Sequence, residues 1–437
     1  MTSPTAAGAV LVLAIAALAH GPARAQPLEA ALQRLIVDSP EIRAAGKSLE
    51  AAGKGVDGAF AGYLPRIDAV GESGPENIDS PLLRDTNQPD WNKVKQVAGL
   101  TVTQKLFDGF ATPSGVRTAR LTVEVAEFTL AGTRQDVLFR GIRAYIDVLR
   151  QRRLVELARL NESTIRRQLD LEDERVQRGA GIAVDVLQAK SRLQIALERR
   201  VAFEGALQSA VARYVQVFGH PPTLDAMVEP VPPESLLPGD LDQGLRIADR
   251  DNPLVNASRA TVEIARERRR AARADYYPSV DVVAEANYEK DVDLVEGERR
   301  AYSLVLRATW NLFNGFATRA GVAQAAADYR ASQDNHETAI RRVSEEIRLA
   351  WNELDIARRR VSLLENAVDI ASEVFVARGR LREIGRETVI NVLDAENEVN
   401  NARINLVDAA ADAKIAVYRL LQGLGWLDAG PLGLALD

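Results

Sequence analysis

Two kinds of period divide this chain. Around residues 278–312 apolar and polar positions alternate, and further on apolar positions recur every seven residues. In "PSVDVVAEANY" Val280, Val282, Ala284, Ala286 and Tyr288 share one face, while Ser279, Asp281, Glu285 and Asn287 share the other, with Val283 as the exception. In "YSLVLRATWNL" Tyr302, Leu304, Leu306, Ala308, Trp310 and Leu312 oppose Ser303, Arg307, Thr309 and Asn311, with Val305 as the exception. Such alternation predicts half-buried strands. Aromatic residues near both ends of the apolar face fit strands that face lipid. From Ile340 to Phe375 the apolar residues Ile340, Val343, Ile347, Ala350, Leu354, Ala357, Val361, Leu364, Val368, Ala371 and Phe375 alternate spacings of three and four. That is a coiled-coil seam. Leu349, Ile356, Leu363 and Ile370 make a second row beside it, so this helix packs against neighbours on two sides. No proline interrupts the chain between Pro113 and Pro221 or between Pro278 and Pro431. A helix from about Ser114 to Arg178 would run on the order of 95 Å at 1.5 Å per residue.

The patterns occur twice. "LFDGFAT" (Leu106 to Thr112) returns as "LFNGFAT" (Leu312 to Thr318), an offset of 206 residues. The same offset carries Gly115 to Gly321, Gly179 to Gly385 and "DVLQA" to "NVLDA". Upstream the offset is 213, matching Pro65 in "GYLPRIDAV" to Pro278 in "DYYPSVDVV". The chain is therefore one duplicated unit of short helix, two strands, very long helix, turn and long helix. The first repeat covers 26–219, with strands about 63–72 and 97–107 and long helices about 114–178 and 183–218. A Pro-rich linker follows at 220–240. The second repeat covers 241–425, with strands about 277–288 and 300–313 and long helices about 318–383 and 388–423; a tail occupies 426–437.

Four strands cannot close a barrel, and lipid tolerates no open sheet edge. Several chains must share one barrel, and this argument leaves two or three copies open. The N-terminus agrees with a membrane destination. Residues 7–19 are apolar but too short to span a bilayer, and "ARA" follows at 23–25, so 1–25 reads as a secretory signal cleaved after Ala25. No other stretch approaches a membrane-spanning helix, so contact with a bilayer falls to the strands.

Composition removes several classes of function. The chain has no cysteine, which excludes disulfides, thiolate catalysis and lipid attachment through an N-terminal Cys. Its three histidines, His20, His220 and His336, are scattered and suggest no metal site. A net charge of -6 gives no reason to expect nucleic acid. "RGAGIA" at 178–183 lacks the Lys-Ser/Thr and the preceding strand of a phosphate loop. It reads as a turn between antiparallel helices, with Gly179 and Gly181 in the first repeat and Gly385 in the second. No catalytic constellation, cofactor site or metal site emerges, and an enzyme is not expected.

The duplicated helix-hairpin-helix unit, the "YLP"/"YYP" strand starts, the "LFDGFAT"/"LFNGFAT" strand exits and "G-x5-[DN]-V-L-x-A" at both helical turns resemble the TolC-like outer-membrane factors of Gram-negative bacteria. The resemblance covers nearly all of the mature chain. It implies a mainly α fold with a small transmembrane β part, in which a homotrimer builds a twelve-stranded barrel in outer-membrane lipid and a twelve-helix tunnel in the periplasm. The loops 73–96 and 289–299 would face outside, and Phe107, Phe110, Phe313 and Phe316 would pack around the bends at Gly109 and Gly315. The resemblance also implies partners: a periplasmic adaptor protein and an inner-membrane ABC transporter or proton-driven pump.

Matched onto the family's pore constriction, "GRETVINVLDA" offers Asn391 and Asp394, three apart on one helix face. Where the family often has two carboxylates this chain has one, so Asp394 is expected to attract cations more weakly than a double ring. The matched closed-state latch positions are Asp185, Arg382 and Glu387, with Arg382–Asp185 as the expected pair and Arg378, Arg380 and Arg386 as rivals. Asp281 and Arg307 are expected to face the barrel lumen. These readings favour a passive exit duct, most like the branch serving type I protein secretion. The alternatives are the outer-membrane component of a drug or small-molecule efflux pump and, more distantly, a periplasmic coiled-coil scaffold.

Overall fold

The computed structural model describes residues 27–85, 91–179 and 182–434; the expected leader 1–25 and Gly181 lie outside the described residues. The first repeat begins with α1 (Leu28–Asp38) and α2 (Pro40–Phe60), which Ser39 separates: its hydroxyl accepts from the Ile42 amide at 3.5 Å and Pro40 occupies the first helical position. Next come β1 (Arg66–Ile78), the short α3 (Pro81–Asp85) and β2 (Trp91–Asp108). The long helices α4 (Ala111–Gln177) and α5 (Ala183–Phe218) complete the repeat. The second repeat runs through α6 (Leu241–Asp251), α7 (Pro253–Ala272), β3 (Ser279–Val292), β4 (Val295–Thr309), α8 (Ala317–Glu383) and α9 (Val389–Leu424).

The duplication is geometric as well as sequential. Helices α4 and α8 each have 67 residues, and α5 and α9 each have 36. At 1.5 Å per residue the longer pair extends about 100 Å. The hairpin registers also repeat. Arg66 opposes Thr103 and Ser279 opposes Thr309; Glu76 opposes Lys93 and Glu289 opposes Arg299.

Among the described residues the four strands form one antiparallel sheet in chain order. Register sorts the side chains into two faces. Ile67, Val102, Ala284 and Leu304 fall on one face, with Leu100, Ala286 and Tyr302 beside them. Thr103, Val283 and Val305 fall on the other, together with the Asp281–Arg307 and Glu285–Ser303 pairs. The two valines that broke the alternation oppose each other on this polar face. The hairpins reach further than the alternation suggests. Much of 73–96 is strand rather than loop, and β3 and β4 continue through most of 289–299. These outer parts are polar on both faces, so no apolar stripe marks them. Cross-strand ion pairs hold them instead, including Lys95–Glu72 at 3.4 Å and Lys93–Glu296 at 2.9 Å. Conversely Trp310 and Leu312 lie beyond the end of β4, although the alternation included them.

The repeated phrase forms the same bend twice. Gly109 and Phe110 have φ of 65° and 71°, and Gly315 and Phe316 have 65° and 70°, all left-handed. The preceding Asp108 carboxylate accepts from the Thr112 amide at 2.9 Å and its hydroxyl at 2.5 Å. In the second copy Asn314 accepts from the Thr318 amide at 3.4 Å and donates to its hydroxyl at 2.7 Å. The Asp/Asn-Gly-Phe-Ala-Thr order thus supplies partners for amides that a helix start leaves free. Phe107 and Phe110 meet edge to face with centroids 5.4 Å apart, as do Phe313 and Phe316.

The main core lies at the waist of the helical body. Leu138, Ile142, Tyr145 and Val148 of α4 meet Tyr214 of α5, Ile347 of α8 and Leu420, Leu421 and Leu424 of α9. The linker and tail close over it. The Tyr145 hydroxyl donates to the Val228 carbonyl and accepts from its amide, both at 2.9 Å. Trp426 Nε1 donates to Asp251 at 3.0 Å, and Leu427 and Leu434 are buried.

Candidate functional site

The helical ends farthest from the sheet bring together most of the residues singled out by sequence. Each hairpin turns at a left-handed glycine, Gly179 with φ 77° and Gly385 with φ 75°. Thr388 starts α9 by accepting from the Asn391 amide at 3.3 Å. Asn391 then donates from its side chain to Glu387 at 2.6 Å, and its carbonyl accepts from Arg378 at 3.1 Å. Bonds from Asn391 and from the Thr388 amide hold the Glu387 carboxyl below the usual carboxylate range. Glu387 and Asn391 therefore stabilise the turn to which they belong.

The two hairpins of one chain are stitched together across this end. Arg382 of α8 donates to both carboxylate oxygens of Glu172 on α4, at 2.8 and 2.9 Å, and also to the Glu387 carbonyl at 3.2 Å. Glu172 is buried and takes a second cation, Arg175, at 3.1 Å. The expected partner of Arg382, Asp185, lies in the first turn of α5 and makes no ion pair among the described residues. Within one chain the buried, bidentate Glu172 carboxylate captures this arginine instead.

A second stitch joins α5 to α9. Arg192 pairs with Asp394 at 2.5 Å, and one heptad further Arg199 donates to Asn401 at 2.9 Å. Asp394 is thus compensated by an arginine of its own chain. Beneath these links Ala189, Val389 and Leu393 form a small apolar cluster with Leu169 packed against it. Beyond it Glu396 and Asn400 are buried on α9, and one oxygen of the former and the amide nitrogen of the latter lack a hydrogen-bond partner. Burial pushes the Glu396 carboxyl up to about 7, against the opposing attraction of Arg167.

Sequence reasoning missed Glu172, Arg192 and Glu396. Glu172 lies in "DLEDERVQRG", where charge density hides the one carboxylate that turns inward. A signal for Arg192 was present: Arg192 and Arg199 share a heptad spacing with Asp394 and Asn401.

At the opposite end, Asp281 and Arg307 occupy opposed positions on the polar face of the sheet. Arg307 reaches the neighbouring Glu285 at 3.6 Å. On the apolar face Ile67, Leu100, Tyr302, Leu304 and Leu306 are exposed. From Val280 to Tyr288 this band spans about 26 Å along the strand at 3.3 Å per residue. That length suits a tilted strand crossing the hydrocarbon layer in an outer-membrane barrel. Both sheet edges, β1 and β4, are open among the described residues. Among the described residues no helix is long and apolar enough to cross a membrane.

Known proteins share this architecture. The profile of the outer membrane efflux protein family matches residues 31–220 and 245–426. The chain is 25% identical to the outer membrane efflux protein BepC of Brucella suis, over 98% of this chain and 91% of that one. It is 23% identical to the alkaline protease secretion protein AprF of Pseudomonas aeruginosa, over 89% of this chain and 81% of the relative. The crystal structure of the outer membrane protein VceC of Vibrio cholerae superposes with a TM-score of 0.79 at 18% identity, covering 91% of this chain and 96% of that one. With a lipid-suited sheet at one end, paired helical hairpins at the other and a family match across both repeats, the chain belongs to the outer membrane efflux protein family, whose members are outer-membrane channels of efflux and secretion rather than enzymes.

Proposed function

We propose that three copies of this chain form one channel-tunnel that serves as the passive exit duct of a type I protein secretion system. A periplasmic adaptor and an inner-membrane ABC transporter supply the energy and choose the cargo. The carrying observation is that the four-stranded sheet is incomplete: both edges are open and its apolar face is bare. Three copies of four strands give a twelve-stranded barrel, within the range of outer-membrane barrels.

The internal repeat supports ring closure. Positions buried by the other repeat inside the chain have counterparts that stay bare. Leu157 of α4 is 7% exposed, while its counterpart Leu363 of α8 is 69% exposed. Leu393 of α9 is 4% exposed, while Leu187 of α5 is 65% exposed. The second seam row of α8 is likewise uncovered. A following copy that repeats the α4–α9 packing would cover both α8 and α5.

Secretion is favoured by the secretion relative and by the form of the strand exits. Efflux remains the second reading, because BepC is named an efflux protein and matches nearly the whole chain. In that case a proton-driven pump replaces the ABC transporter. Deleting the gene in its native host separates the two. Loss of a secreted protein from the medium with unchanged drug tolerance is the expected result. Intact secretion with drug hypersensitivity would overturn the secretion reading.

A further inference from the structure

We propose that Glu396 is a proton-sensitive element of the seam between the two repeats, holding α9 against α4 when protonated and loosening that packing when ionised. The proposal deepens the channel reading, because the seam adjoins the turns that would bound the pore. It stands first on geometry. Glu396 and Asn400 are each 7% exposed, one helical turn apart, and each has a buried polar atom without a partner. An unsatisfied acceptor and donor in one packed stripe are costly, and a buried carboxylate is much costlier than a buried carboxylic acid.

The charges around the stripe do not neutralise it. From α4, Arg167 is the one whose attraction reaches Glu396, and it does not offset the burial. Glu162 of α4 is already engaged by Arg166 at 2.8 Å and by Arg200 of α5 at 2.7 Å. From α5, Arg192 pairs with Asp394 and Arg199 donates to the neutral Asn401. From α8, Arg378 bonds the Asn391 carbonyl, and Glu373 is exposed. Arg167, whose guanidinium donates to Thr164 at 3.0 Å, is left as a partial compensation for an ionised Glu396, and burial outweighs it.

The direction follows from linkage. A carboxyl raised by burial favours the packed seam while it is protonated. That advantage is complete below the ordinary value of 4.5 and is lost as pH rises to about 7. A rise of this size weakens the packed state on the order of a hundredfold between the two limits.

Hydrogen exchange of residues 389–400 in the full detergent-solubilised protein tests this, expressed as protection relative to the intrinsic rate at each pH. Protection should fall at least tenfold from pH 5.5 to 8, and Glu396→Gln should stay protected throughout. Glu396→Met, similar in volume and uncharged, serves if the glutamine variant folds poorly. Asp408→Asn is the control, because burial raises the Asp408 carboxyl on the same helix; it should keep the pH response. Equal protection of the wild type at both pH values would overturn the proposal, as would a pH response that survives in Glu396→Gln. This readout needs no conductance, so failure of the protein to form a channel in bilayers would count against the proposed function and leave this test intact.

Discussion

At the residue scale, the two copies of one phrase differ in what surrounds them. A Cβ on Gly109 would stand 2.4 Å from the Ala274 carbonyl oxygen, whereas one on Gly315 would meet nothing within 4 Å. Both have φ of 65°, so alanine is strained at either. Gly109→Ala adds a clash inside the chain and should cost about 3 kcal/mol, against about 1 kcal/mol of backbone strain for Gly315→Ala in the isolated chain. Thermal unfolding followed by circular dichroism separates them. By the repeat, Gly315 would face Ala61 of the next copy in the proposed trimer, so Gly315→Ala should impair assembly more than folding. A second prediction concerns the constriction. Because Arg192 compensates Asp394, block of conductance by divalent cations should be weak in the wild type and at least severalfold stronger in Arg192→Ala. Equal block in the two would refute the pairing as a determinant, and equal block in Arg192→Ala and in the Arg192→Ala, Asp394→Ala double variant would remove Asp394 from the proposed constriction.

At the element scale, heptads carried most of the information. The α8 seam is observed at Val343, Ile347, Ala350, Leu354, Ala357 and Ala371. Its second row is equally plain in sequence yet is bare within one chain; the proposed assembly assigns the surface it matches to the next copy. The strands were legible only where one face is apolar, so the polar outer hairpins were read as loops. The latch shows a further limit. A heptad pattern says that α8 lies against a neighbour, but not which carboxylate of that neighbour turns inward. Arg382 was singled out and its partner Glu172 was not. Removing Arg382 leaves a buried carboxylate with only Arg175. Arg382→Ala should therefore cost about 3 kcal/mol of seam stability, the low end for a broken buried pair. Open probability in planar bilayers should rise in Arg382→Ala, whereas Asp185→Asn should match the wild type. Arg382→Lys should rescue only in part, because a single ammonium nitrogen cannot hold the Glu172 carboxylate and the Glu387 carbonyl together as Nη2 and Nη1 of the guanidinium do. A wild-type phenotype for Arg382→Ala with an open phenotype for Asp185→Asn would contradict the Arg382–Glu172 latch and favour Asp185 as the closing residue.

At the scale of the whole molecule, the internal repeat predicts its own continuation. Within the chain β2 pairs with β3, setting Leu100 opposite Ala286. Carried through the offsets of 206 and 213, the same rule sets Leu306 of β4 opposite Ser73 of β1 in the next copy. Face and register agree, since both residues lie on the apolar side. Opposed residues in an antiparallel pair have Cα atoms about 4.5–5.5 Å apart, within reach of a disulfide. The chain has no cysteine of its own, so a Ser73→Cys, Leu306→Cys variant carries only the two test thiols. Oxidative cross-linking of this variant in outer membranes should give a covalent ladder that ends at three chains and returns to one on reduction, with no species above two chains from either single variant. A ladder that stops at two chains, or monomer alone from correctly inserted protein, would contradict the shared barrel.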